Sequence, residues 1–161
     1  MTNPSFCAEC ARRGPTCCAT RRIVLTPGDV TRIERWCAQC CSAQWSQTPW
    51  VQTVESAVFE PAETDPLWDA WLRRGLVDVL RQGPQGCVFL GAEGCVLPLD
   101  VRPLICRLYP FEYTESAIKG VWPHLCPRPE ADNTALLLAL LGMSAAVADP
   151  WRQQLYAEIS Q

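Results

Sequence analysis

This chain of 161 residues is poor in the residues that several large classes of protein need. It has one lysine, Lys119, one histidine, His124, and a net charge of −3, a balance that argues against general nucleic-acid binding. Its most apolar segment, residues 135–148, falls short of the roughly 20 residues that span a bilayer. The first residues lack the basic start and apolar run of a signal peptide. We therefore expect a cytoplasmic protein with no nucleic-acid partner and no membrane partner.

Signatures of nucleotide binding and of nucleophilic catalysis are also missing from the sequence. The chain contains no G-x-G-x-x-G, P-loop, G-x-S-x-G or H-E-x-x-H motif. The GAEG of residues 91–94 indicates a turn and lacks the strand-to-helix context of a phosphate-binding loop. No catalytic residue is predicted, an enzymatic role is less expected than a binding role, and any chemistry would depend on a bound metal.

Cysteine is the residue that the chain has in excess, with eleven copies. Reducing conditions in the cytosol disfavour disulfides and an odd number cannot all pair, so metal binding or redox chemistry is the leading interpretation. Cys7 and Cys10 form a C-x2-C pair, a spacing with which two thiolates bind one metal ion. Cys17 and Cys18 are adjacent, and adjacent side chains in extended backbone point opposite ways, which favours two metal ions or two corners of one cluster.

Four further cysteines follow later in the chain, close to glycine, proline and arginine. Cys87 and Cys95 lie on either side of the GAEG turn, and this segment predicts one β-hairpin over residues 86–99 with a cysteine on each arm. Cys106 and Cys126 lie in proline-flanked segments that are predicted as loops. The eight candidate ligands match two sites of four thiolates each. They are Cys7, Cys10, Cys17, Cys18, Cys87, Cys95, Cys106 and Cys126.

The order of these motifs resembles the YkgJ-like cysteine-cluster family, the CxxCxxCC zinc- or iron-chelating domain. The similarity covers residues 7–128, from CAECARRGPTCC through LTPGDVTRI to CVFLGAEGCVLPLDVRPLICRLYPF and HLCP. Its most specific part is RPLICRLYPF, residues 102–111. The resemblance implies that the eight cysteines are ligands of zinc or iron. Six residues separate Cys10 from Cys17, where the family has two or three, which makes Cys17 the least secure ligand.

Three cysteines have no counterpart in the family pattern. Cys37 and Cys40 or Cys41 continue the apolar spacing of a helix predicted over residues 27–41, which favours core or incidental cysteines over an accessory metal or redox site. The single histidine, His124, precedes the last candidate ligand by two residues, and a surface or hydrogen-bonded position is favoured over a role as an additional ligand.

The ligand set selects soft metals and leaves their identity open. Thiolates favour zinc, iron in clusters or copper(I), and they exclude magnesium and calcium. The adjacent cysteines favour an iron-sulfur cluster or iron, whereas a cysteine-bearing hairpin favours zinc. Seven arginines lie close to these cysteines in sequence, and they either offset the negative charge of four-thiolate sites or are solvated. They are Arg12, Arg13, Arg21, Arg22, Arg102, Arg107 and Arg128.

The expected function is metal or redox handling by a cysteine-ligated metal-binding protein with an unidentified protein partner. A zinc-stabilised protein-interaction module is one alternative. A small metal-dependent oxidoreductase or accessory subunit of an enzyme is another.

Apolar periodicity predicts a mainly α fold with a small β-hairpin, in the small α+β class, with irregular loops organised by the metal. Residues 1–161 are treated as a single domain. Helices are predicted over 27–41 and 66–82 from their capping residues and their three- and four-residue apolar steps. A C-terminal helical extension is predicted over 132–160.

Two segments show no helical or strand period and are predicted as irregular. These are residues 1–22, which need a metal to order them, and residues 42–64, which are irregular or weakly helical. Within the C-terminal extension, Asp149 and Pro150 are expected to end one helix before a shorter one begins.

Overall fold

The computed structural model describes residues 6–14, 16–40, 49–60, 64–122, 126 and 128–161, and it is a small α+β fold with short antiparallel strand pairs. The helices are α1 (Phe6–Arg13), α2 (Cys17–Thr20), α3 (Pro27–Gln39), α4 (Pro66–Leu72), α5 (Leu104–Leu108), α6 (Thr134–Leu141) and α7 (Ala145–Ile159). The strands are β1 (Val51–Glu55), β2 (Leu76–Leu80), β3 (Gln82–Gly83), β4 (Gly86–Cys87), β5 (Leu90–Gly91), β6 (Gly94–Cys95), β7 (Phe111–Tyr113) and β8 (Ile118–Val121). Each odd-numbered strand pairs with the even-numbered strand that follows it.

The helix predicted to begin at Pro27 is confirmed as α3. The backbone N–H of Asp29 donates to the Thr26 hydroxyl (3.1 Å), and the backbone N–H of Thr26 donates to the Asp29 carboxylate (3.0 Å). This reciprocal capping box, with Pro27 at the first helical position, fixes where the helix begins. The last predicted residue, Cys41, lies outside the described residues.

The prediction of a helix over 66–82 is wrong beyond Leu72. The helix begins at Pro66 as predicted, but Gly75 follows with a φ of +104°, and the chain then enters β2. Val77 and Val79 are buried on one face of β2, which is the two-residue period of a strand. β1, the partner of β2, lies in the segment predicted as irregular, so that prediction is wrong as well.

The C-terminal extension is helical, but its break lies elsewhere than predicted. Gly142, with a φ of +64°, ends α6, and the next helix runs from Ala145 to Ile159 with Pro150 inside it. Because Pro150 lies near the start of α7, it removes one helical hydrogen bond without ending the helix. No single helix among the described residues is long and apolar enough to cross a membrane. Taken together, α6 and α7 have the length and apolar composition of a membrane span, but they are bent by 73° relative to each other.

The cysteine-rich segments are more regular than the sequence predicted. The described part of residues 1–22 forms α1 and α2 rather than a loop, and Cys106 lies on α5 rather than in a loop. Residues 82–95 form two successive hairpins, β3–β4 and β5–β6, instead of one. A repeated G-x-x-G-C-V motif, eight residues apart in the sequence, accounts for the pair of hairpins.

Two groups of buried side chains form the core. One joins β2, α5 and α7, and the other joins α3 to the small hairpins. The second group contains Cys37, which is 6% exposed and supports the interpretation of this cysteine as a core residue. The members of the second group are Leu25, Ile33, Cys37, Trp50, Leu80, Phe89 and Leu97.

Candidate metal centre

The helix that carries Cys106 is held in place by the start of α3. The carboxylate of Asp29, which is fully buried, accepts a hydrogen bond from the backbone N–H of Leu104 (3.0 Å) and another from Arg32 (2.6 Å). Pro103, which precedes α5, makes no side-chain cap, so Asp29 satisfies a backbone donor at the first turn. The LTPGDVTRI and RPLICRLYPF motifs are therefore joined directly, with Cys106 two residues beyond the contact.

The two small hairpins present their cysteines in the same way. Each cysteine ends the second strand of its hairpin, and its thiol accepts a hydrogen bond from the backbone N–H two residues ahead. The donor to Cys87 is Phe89, and the donor to Cys95 is Leu97. Hydrogen bonds of this kind favour the thiolate form, which is the form that binds metal.

Glycines in the hairpins allow the N-terminal helices to approach closely. Gly86 has a φ of +116°, and a Cβ atom there would lie 2.4 Å from Cα of Ala19 in α2. Gly94 has a φ of +91°, and a Cβ atom there would lie 3.4 Å from Cα of Ala8 in α1. Each hairpin thus packs against one N-terminal helix, next to Cys18 in the first case and Cys7 in the second.

Electrostatic coupling divides the eight predicted ligands into two sets of four. The hairpin set is Cys18, Cys87, Cys95 and Cys106, and the terminal set is Cys7, Cys10, Cys17 and Cys126. In each of the six pairs within the hairpin set, one thiol shifts the pKa of the other. Cys18 is also coupled to members of the terminal set.

The adjacent Cys17 and Cys18 belong to different sets. They lie in the short helix α2 rather than in extended backbone, and consecutive side chains on a helix diverge by about 100°. The Cys17 thiol donates a hydrogen bond to the Cys18 sulfur. The pair therefore joins the two sets, with Cys18 at the point where they meet.

Most of the candidate ligands are protonated thiols at neutral pH. Cys7 is exposed by its surface area, yet enough protein surrounds its sulfur for desolvation and nearby thiols to raise its pKa to about 11. Desolvation also raises the pKa of Cys87 to about 12 and that of Cys106 well above its usual range. Cys18 is different, because the hydrogen bond from Cys17 and the charge of Arg102 lower its pKa to about 7. Metal binding to these thiols would therefore release protons.

Two of the seven arginines singled out in the sequence, Arg102 and Arg128, lower the pKa of neighbouring cysteines. The Nε of Arg102 donates to the carbonyl of Leu97 (2.9 Å), and its charge lowers the pKa of cysteines in both sets. The charge of Arg128 acts on Cys10 in the same direction, lowering its pKa. Arg107 is buried and donates to backbone carbonyls instead. This placement favours charge compensation over simple solvation for Arg102 and Arg128.

Three buried polar side-chain atoms next to the cysteines make no well-aligned hydrogen bond among the described residues. They are the hydroxyl oxygens of Thr16 and Tyr109 and one carboxylate oxygen of Glu130. The Thr16 hydroxyl nevertheless lies close enough to Cys18 to lower its pKa, and the Tyr109 hydroxyl lies beside the Cys126 thiol. Neither Thr16 nor Glu130 was predicted from the sequence as part of the site. The position of Thr16 directly before Cys17 and Cys18 could have indicated that it lies at the site.

The described side chains fit a soft metal by their chemistry. In the described part of the chain no group of three or more His, Cys, Asp or Glu side chains is arranged to hold a metal ion. The fit lies in the chemistry of the donors, since thiols from distant segments are electrostatically coupled and two arginines lie beside them. His124 lies outside the described residues.

Comparison with family models, with curated proteins and with solved structures finds no match for this chain.

Proposed function

We propose that this protein binds metal through its eight gathered cysteines, as an iron-sulfur cluster or iron in preference to zinc, and that it serves metal or redox handling in the cytoplasm. The observation that carries the proposal is the hairpin set. Its four thiols come from α2, two hairpins and α5, and every pair among them is electrostatically coupled. The resemblance to the YkgJ-like family supports the same ligands.

Thiols do not gather in this way for packing alone. Each raised pKa means that desolvation and neighbouring thiols keep the thiol neutral in the metal-free protein, whereas a bound cation would favour the thiolate form and convert the same thiols into ligands. Arg102 and Arg128 supply the positive charge that a four-thiolate site requires. The bound metal would also order the loops between the helices.

When bound, the metal would supply either electron transfer or metal delivery. The chain's own residues have three tasks. The hairpin N–H groups stabilise two thiolates, Arg102 offsets charge near both sets, and Asp29 holds the helix that carries Cys106. None of these tasks requires a substrate pocket, which favours a binding protein over an enzyme.

The test is the metal and acid-labile sulfide content, with a visible spectrum, of protein purified without oxygen. Iron with matching sulfide and a brown colour supports the proposed cluster. Iron without sulfide supports a mononuclear iron site. A protein that takes up no iron, zinc or cobalt under reducing conditions contradicts the proposal.

A second candidate is a zinc-stabilised module that binds another protein. Apolar side chains on α6 and α7 favour it, because Leu136 is 44% exposed, Leu140 is 41% exposed and Val147 is 44% exposed. This candidate requires about two zinc ions per chain, no colour, and unfolding upon chelation. The same purified sample therefore distinguishes the two candidates.

A further inference from the structure

An apolar cleft of about 350 Å³ lies where the start of α3 meets β2. Two charged side chains, Arg74 and Asp78, lie among the described residues that line it. Binding sites are commonly apolar with a few polar groups that fix orientation, and this lining has that character. The apolar lining residues are Leu25, Pro27, Val30, Trp71, Leu76 and Val77.

Leu76 lines the cleft and faces solvent although it is large and apolar. It is 65% exposed, the highest value for a large apolar side chain in the described part of the chain. Side chains alternate between the two faces of a strand, and Val77 and Val79 are buried in the core, so Leu76 points outward. The same surface therefore offers a protruding leucine and, next to it, an apolar cleft.

The two charged side chains lie on either side of Leu76. Asp78 follows Leu76 by two positions on the same face of β2, and its carboxylate accepts a hydrogen bond from the Thr53 hydroxyl (2.7 Å). Arg74 precedes Leu76 by two positions and is exposed. The guanidinium of Arg74 lies 3.4 Å from the carbonyl oxygen of Ile159, at the end of α7. The order of side chains along this surface is thus positive, apolar, negative.

This order of side chains is complementary to itself when two copies of the chain meet in opposite directions. About a two-fold axis at Leu76, the positive end of one copy faces the negative end of the other, and this contact forms twice. If two copies met in the same direction, like charges would face each other and oppose association. The charges therefore select one partner, a second copy, and one direction of pairing.

We propose that this surface binds the same surface of a second copy of the chain, with each Leu76 in the cleft of the other copy and each Arg74 against the partner's Asp78. The pairing buries one exposed leucine and one cleft per copy, which makes it a small interface. We expect a weak dimer with a dissociation constant on the order of 100 µM. The inference is independent of the proposed metal site, because none of the three residues is a candidate ligand.

Sedimentation velocity of the full-length protein under reducing conditions measures the association, and the reductant excludes intermolecular disulfides. We expect a concentration-dependent equilibrium between monomer and dimer. Leu76→Ser should weaken it about a hundredfold, since two leucines lose their burial in every dimer. Arg74→Asp and Asp78→Arg should each weaken it to a similar degree, because each variant places like charges together at two symmetric contacts.

The two charge variants also test the direction of the pairing. An equal mixture of Arg74→Asp and Asp78→Arg restores opposite charges at both contacts, so the mixture should associate about as tightly as the wild type. A mixture that associates no better than either variant alone overturns the proposal. Leu76→Ser and Arg74→Asp alter exposed side chains, and they decide the question if Asp78→Arg fails to fold.

Two controls confine these effects to the proposed surface. Leu140→Ser makes the same substitution at an exposed leucine of α6 and should leave the association unchanged. Thr53→Val removes the hydrogen bond to Asp78 but keeps the charge of that carboxylate, and it should have no effect either. Circular dichroism and metal content should match those of the wild type in every variant.

Two further results would overturn the proposal. A wild-type chain that stays monomeric at concentrations well above the expected dissociation constant leaves the cleft to a different partner. A dimer that Leu140→Ser disrupts and Leu76→Ser does not is formed through α6 and not through this surface.

Discussion

The hairpin set and the terminal set are built from different kinds of structure. In the hairpin set, backbone N–H groups of the hairpins donate to the Cys87 and Cys95 thiols, and α5 is fixed by Asp29. The terminal set is carried largely by α1 and α2, and its member Cys7 is exposed. The difference teaches that position in the fold separates candidate ligands that cannot be told apart by residue type. We expect the hairpin set to govern folding and the terminal set to govern metal exchange.

The largest effect should come from removing one ligand of each set. Cys106→Ala should lose most of the bound metal and much of the helicity, because Cys106 lies on a helix that packs in the core and is coupled to every other member of its set. Cys7→Ala should lose about half of the metal and keep the helicity, because the residue is exposed. Metal analysis and circular dichroism measure both quantities.

Cys40→Ala is the control for these two variants. Cys40 ends α3, outside both sets, and its replacement should change neither metal content nor helicity. Equal losses for Cys106→Ala and Cys7→Ala would remove the distinction between the sets. Unchanged metal content in Cys106→Ala would contradict the proposed ligands.

The repeated glycines give a second, smaller contrast between the hairpins. At Gly86 a Cβ atom would lie 2.4 Å from a backbone atom of α2, so Gly86→Ala must displace the backbone and should destabilise the metal-free protein by about 3 kcal/mol. At Gly94 the nearest atom is 3.4 Å away, and only the positive φ opposes alanine, at about 1 kcal/mol. Urea unfolding measures both changes, and equal values would show that the two hairpins pack alike.

The pH dependence of the metal-free protein follows from the raised thiol pKa values. Folding raises the pKa of Cys7 and Cys87 above the usual 9.0, to about 11 and about 12. Their contribution to stability is complete below pH 9 and is lost as the pH rises through those folded-state values. Between pH 9 and 10.5 the free energy of unfolding should fall by about 1.5 kcal/mol through Cys87, and by less through the more exposed Cys7 because solvent screens its interactions.

Metal-loaded protein provides the comparison for this titration. Its ligands are already deprotonated, so its stability should change less over the same range of pH. Parallel urea unfolding at pH 8.5, 9.5 and 10.5 tests the expectation. A metal-free protein that grows more stable across this range would contradict the raised pKa values.

The sequence predicted the parts of the fold that are encoded locally. The start of α3 was predictable because Thr26, Pro27 and Asp29 form a capping box within four residues. The end of α4 was not, because Leu76, Val79 and Leu80 fit a helical step as well as a strand, and pairing with β1 decided between them. The residues of β1 with which they pair lie 21 to 29 positions away in the sequence, so the apolar spacing within the segment does not reveal the pairing.

The candidate site was predictable in composition and not in arrangement. Cysteine spacing predicted eight candidate ligands. Their division into the hairpin set and the terminal set could not be predicted, because it depends on hairpins that pack on α1 and α2. The second hairpin could have been recognised from the repeated G-x-x-G-C-V motif. The role of Asp29 at α5 joins residues 75 apart and could not have been recognised from spacing.

The smallest expected effect is the difference in rate between Cys18 and Cys7 when they react with iodoacetamide. Exposure favours Cys7, whereas ionisation favours Cys18, whose pKa of about 7 lies well below the value of about 11 for Cys7. The much larger thiolate fraction of Cys18 is offset in part by the lower nucleophilicity of a less basic sulfur, and the greater exposure of Cys7 reduces the remaining advantage further, to about tenfold at pH 7.5. Mass spectrometry of briefly alkylated metal-free protein measures the ratio, and the two cysteines should react alike in urea. Faster reaction of Cys7 in the folded protein would mean that access, and not charge, controls the junction between the two sets.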